Sequence, residues 1–140
     1  MKRLVLILLA VVFASILPLA LGAESVLLIG LPGGLPLGTL LAALAFAAGA
    51  GVPLAASRPD TFLQTVSRLV LAAAVLWLPV GIYLSGNPAL NFVDDASDSA
   101  LFWRLTAGLG VLILVTMLWA AVDAVTKHRA QPSSPAPSNP

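Results

Sequence analysis

The chain has 140 residues, of which 59% are hydrophobic and 9% charged, whereas a soluble domain carries about 25% charged residues; with a mean hydropathy of +1.02 it is neither an ordinary aqueous globule nor a disordered polymer. Seven basic residues against six acidic ones leave a net charge of +1, without the basic field that nucleic-acid binding requires. There is no cysteine, and the single histidine is His128, which excludes disulfides, thiolate metal sites, cysteine nucleophiles and a bis-histidine haem site within one chain.

The charges leave long gaps. Twenty uncharged residues separate Arg3 from Glu24, 33 separate Glu24 from Arg58, 25 separate Arg68 from Asp94, and 18 separate Arg104 from Asp123. A helix crosses a ~30 Å hydrocarbon layer with ~20 apolar residues, so each gap holds one crossing and none comfortably holds two. Backbone groups in lipid must be satisfied internally, which selects helices here; the short alternating segments of a barrel are missing. The prediction is an all-α integral membrane protein, a four-transmembrane-helix bundle within residues 1–128, with spans at about 4–21, 35–56, 61–84 and 99–125.

The first span follows Met1-Lys2-Arg3, a good leader for a signal peptide, and Ala20-Leu21-Gly22 could precede a cleavage site. Its apolar run of ~18 exceeds the usual 7–15 of a signal core. A retained anchor is therefore favoured; cleavage would leave three spans.

Residues 25–36 are apolar but broken by Gly30, Pro32, Gly33 and Gly34. They read as an interfacial turn, with a re-entrant segment lining a cavity as the sharper alternative. Gly30, Gly34 and Gly38 have the spacing of a helix-dimer motif, but Pro32 and Pro36 interrupt any helix there.

The second span, with Pro36 suited to its first turn, is built of small residues. Ala43, Ala47, Gly51 and Ala55 recur every four positions as one packing face, and Gly38, Ala42, Ala45 and Gly49 add to it. Association within lipid relies on close packing, which small residues permit. This span is expected at the middle of the bundle or at a subunit interface.

At the third span Asp60 is a candidate cap, and Thr61 with Gln64 has the spacing of a capping box. Trp77 lies mid-span as a packing or lipid-facing residue, and Pro53 and Pro79 could kink their helices. Asp94, Asp95 and Asp98 follow, without the glycine-turned spacing of a calcium loop. They read as a solvated loop, with Asp98 as N-cap of the fourth span.

Arg104 is the one charge placed inside the fourth span, six residues beyond Asp98, or ~9 Å along a helix. From there it can snorkel toward the interface and pair with Asp98, Asp95 or Glu24, or else bind an anionic group or dock a partner. Arg104, with Asp98, is the best candidate contact in the chain. Tyr83, Trp103 and Phe92 suit an outer aromatic belt, and Phe62 and Trp119 an inner one. Asp123 and Lys127 form an i,i+4 pair. Residues 129–140, rich in Pro and Ser, read as a disordered tail.

Basic residues fix the orientation. Lys2 and Arg3, then Arg58 with Arg68, then Lys127 and Arg129 fall on one side if there are four spans, and Glu24 and the acidic loop fall on the other. Both termini are thus expected in the cytoplasm, in an inner membrane of bacterial type. No acid, lysine or histidine lies near a span's middle, no Ser or Thr has a nearby base, and no phosphate-cradling glycine loop precedes a lysine. The expectation is a non-catalytic protein without cofactor or metal, an accessory or scaffolding subunit in the lipid bilayer. It would meet a membrane-protein partner, or itself, through the second span. The alternative is a small oligomeric channel or transporter, with Arg104 and residues 30–38 on the path and an anionic solute if Arg104 meets it. A membrane enzyme is a third possibility without candidate residues.

Overall fold

A computed structural model describes residues 2–56, 61–92 and 96–129. Arg58, Asp60, Asp94, Asp95 and residues 130–140 of the Pro/Ser-rich tail lie outside the described residues, while Arg129, expected as the start of that tail, ends the last helix. The chain forms α1 (Lys2–Ala20), α2 (Glu24–Leu27), α3 (Leu37–Ala56), α4 (Phe62–Ser85) and α5 (Ala96–Arg129), with no β-strand among the described residues. Four of these helices are long and apolar enough to cross a membrane. The all-α bundle of four apolar spans expected from the charge gaps is the fold observed.

Helix ends follow local chemistry. At the end of α1, Gly22 takes a left-handed φ of 59°. The Ala23 N–H donates to the Pro18 carbonyl at 3.2 Å and the Gly22 N–H to Leu19 at 3.3 Å; together these make a Schellman cap. Residues 31–34 form a tight turn, in which the Gly34 N–H reaches the Leu31 carbonyl at 3.0 Å and Gly33 has φ 88°. Proline second and a positive-φ glycine third is the type II pattern. Gly30 and Pro36 then pair in a single antiparallel bridge.

At these ends two expectations shift and the Thr61–Gln64 cap holds. Pro36 stands just before α3 instead of in its first turn, its carbonyl accepting from Thr39 at 3.1 Å and Leu40 at 3.3 Å. At α4 the cap is Thr61, whose hydroxyl accepts from the Gln64 N–H at 3.2 Å. Asp98 does not cap α5: the helix begins at Ala96, so Asp98 sits in the first turn, where the helix dipole still favours a carboxylate.

α3 is the hub. It packs against α1 on one side and against α4 and α5 on the other, while α1 touches neither α4 nor α5 along its backbone among the described residues. Paired contacts fix the directions. A methyl group placed on Gly51 would lie 3.4 Å from Leu8 Cδ1, and one on Gly49 would lie 3.0 Å from Ile113 Cγ2 and 4.0 Å from Val12 Cγ2. One on Gly110 would lie 3.9 Å from Phe46 Cε1, so α1 runs antiparallel to α3, and α5 parallel to it. The core contains Ala50, Val70, Ala74, Trp77, Phe102, Leu109 and Ile113, an apolar set in which the Trp77 indole N–H is the one side-chain polar group.

Phe62 of α4 meets Trp119 of α5, with ring centroids 5.9 Å apart. α5 continues from there to Arg129. It thus projects about ten residues, some 15 Å, beyond the start of α4. Val122 and Val125 on this projection are exposed, and Lys127 pairs with Asp123 one turn back.

Candidate functional site

The site grows from the seam between α4 and α5. Trp77 donates its indole N–H to the Thr106 hydroxyl at 2.8 Å, and its ring meets Phe46 edge-on at 5.1 Å and Phe102 at 5.7 Å. Phe102 also meets Phe92 at 5.2 Å. Gly81 lets this cluster close, since a methyl there would fall 2.9 Å from Phe102 Cε2 and 3.2 Å from Leu90 Cδ2. Leu90 reaches that position with a left-handed φ of 52°, a backbone cost of roughly 1–2 kcal/mol. Asn87 braces the connection, its side chain donating to the Ser85 and Asn91 carbonyls at 3.0 and 2.8 Å.

Behind this cluster, on the outer face of the seam, lies a groove of about 420 Å³. Ala73, Leu76 and Val80 form one wall, and Leu105, Gly108 and Leu112 the other. Nothing lies within 4 Å of where a Gly108 side chain would begin. Arg104 is the charged residue lining this groove. Phe102 meets Gly81 and Thr106 meets Trp77, so Arg104 lies level with about Pro79. That is six residues, ~9 Å, from the Ser85 end of α4.

Arg104 is exposed and forms no ion pair or hydrogen bond with any described residue. The expected pairing with Asp98 or Glu24 does not occur, and Asp95 lies outside the described residues. Asp98 is six positions away, which on a helix is well short of two full turns. The two side chains therefore leave different faces. Arg68, the arginine of α4, differs: its guanidinium donates to Gln64 Oε1 at 3.3 Å.

The remaining sequence candidates fall elsewhere. Gly51 meets Leu8 of α1, Ala43 packs against the aromatic core, and Ala47 and Ala55 are half-buried. The deepest positions of α3 are their neighbours Ala48, Gly49, Ala50, Val52 and Pro53, because three helices surround α3 and bury more than one ridge. Residues 30–38 take no part in the groove. Their packing reaches Leu27 against Gly38, at the first turn of α3. Tyr83 and Trp103 are exposed, at 86% and 63%, whereas Phe92, expected in the same belt, turns into the core. Trp77 is a packing residue, 8% exposed.

No family model, curated protein or solved structure matches the chain. What the site can do is set by its chemistry. A guanidinium holds anions by charge and by a planar fork of donors, and the groove beside it offers apolar contact. Among the described residues no three carboxylate or histidine side chains converge.

Proposed function

We propose that this chain is a multi-pass protein of a bacterial-type inner membrane, with both termini cytoplasmic, acting as a non-catalytic accessory or scaffolding subunit of a larger membrane complex. The observation that carries this reading is the projection of α5. About three helical turns extend past the start of α4, with exposed valines. An isolated helix of that length is marginal in water, so a partner surface that covers it accounts for both its length and its apolar side. The filled interior supports the same reading. The buried hydroxyls of Ser67 and Thr116 are satisfied by carbonyls of their own helices, at 2.7 Å to Leu63 and 2.9 Å to Leu112.

The channel or transporter reading has less support. Its two candidate features, Arg104 and residues 30–38, do not converge, since α4 and α5 alone line the groove. Photo-crosslinkable residues at Val122 and Val125, in cells, test the accessory role. The expected result is one heterologous membrane protein, found at both positions and absent when the crosslinker is moved to lipid-facing Val115. Crosslinks only to a second copy of the chain would favour the oligomeric alternative, and no protein adduct would contradict both.

A further inference from the structure

We propose that the α4–α5 groove is a binding site for one anionic phospholipid, its phosphate diester on the Arg104 guanidinium and one acyl chain lying along Leu105, Gly108 and Leu112. The inference rests on the chain spanning a bilayer, not on the accessory role.

Three observations converge. First, Arg104 is a cation without a partner among the described residues, at the mouth of an apolar groove. A lone charge in that setting requires an anion or a path to water, and a phosphate diester fits the bidentate fork. Second, the depth suits a headgroup. Arg104 lies ~9 Å inside the end of α4, within reach of a long side chain extending outward. Exposed Trp103 beside it and Tyr83 near the same end of α4 are residue types that settle at the headgroup level. Third, the dimensions suit a chain and not a helix. From Arg104 to Leu112 the groove runs ~12 Å along α5, well short of the ~30 Å seam that a crossing helix would occupy. Its volume of about 420 Å³ lies in the range of about 300–1,000 Å³ typical of small-ligand sites. Gly108 supplies the room, because the space where its side chain would begin is empty. A net-anionic headgroup is favoured over a zwitterionic one, whose own ammonium competes for the phosphate.

The test is native mass spectrometry of the full chain in detergent, titrated separately with phosphatidylglycerol, phosphatidylcholine and inorganic phosphate. Wild type should retain one phosphatidylglycerol at least about tenfold more tightly than phosphatidylcholine, and inorganic phosphate should not displace it. Arg104→Gln should remove that preference and Arg104→Lys should keep part of it. Gly108→Leu, which fills the groove, should weaken both lipids. Arg68→Gln should change nothing, because that guanidinium is already engaged by Gln64. Circular dichroism confirms that each variant is folded. Equal retention of phosphatidylglycerol by wild type and Arg104→Gln would overturn the proposal, as would an equal loss in Arg68→Gln. So would an Arg104→Gln variant that keeps its lipid but releases a co-purifying subunit, which would assign the groove to a partner helix.

Discussion

The Trp77 indole N–H and the Thr106 hydroxyl, 29 residues apart, meet at 2.8 Å and lock the register of α4 against α5. Trp77 is buried among Phe46 and Phe102, so without Thr106 its N–H would face only apolar side chains. Thr106→Val is nearly isosteric and removes the acceptor. Interhelical hydrogen bonds in membranes average about 0.6 kcal/mol and reach about 1.7 kcal/mol, and a cost in that range is expected for this variant. In a Trp77→Phe background the same change should cost almost nothing, which a double-mutant cycle on detergent-solubilised protein measures.

Gly81 and Gly108 should respond oppositely to one methyl group. At Gly81 it lands 2.9 Å from a ring carbon of Phe102, and that ring is wedged by Phe92, Trp77 and Trp103. Gly81→Ala should destabilise by about 1–3 kcal/mol, the usual cost of overpacking. Gly108 has open space, so Gly108→Ala should gain up to about 1 kcal/mol from helix propensity. Thermal melts of the two variants side by side give the signs.

Gly49 is where α3 touches α5 and α1 together, at Ile113 and Val12. Gly49→Leu should drive both helices away and destabilise the bundle by about 2 kcal/mol or more. Ala45→Leu, on a half-buried position of the same helix, should cost less. Chemical-denaturant titration compares them; equal losses would remove the close approach at Gly49 from the account.

Much of this architecture is legible in the order of residues. Gaps of 18 to 33 uncharged residues announce four crossings because lipid rejects ions. The run of Gly and Ala in α3 announces a helix with close neighbours because only small side chains let backbones approach. Thr61 announces its cap through the spacing to Gln64. Other features depend on how helices register against one another, which local pattern does not encode. Nothing near Trp77 in the chain points to Thr106, and Phe92 looks like a belt residue until Phe102 is brought beside it. The start of α5 was hidden because Asp98 suits a first turn as well as a cap. The isolation of Arg104 could have been anticipated, since a spacing of six turns its side chain away from Asp98.

The most direct measurement of the central claim is sidedness. The chain lacks cysteine, so Lys2→Cys, Ala89→Cys and Ala130→Cys can each be labelled in intact cells with a membrane-impermeant maleimide, and again after the cytoplasmic face is opened. Four crossings with cytoplasmic termini predict that Ala89→Cys reacts from outside and that the other two react only after opening. Reaction of Ala89→Cys and Ala130→Cys from the same side, or of Lys2→Cys and Ala130→Cys from opposite sides, would contradict the account.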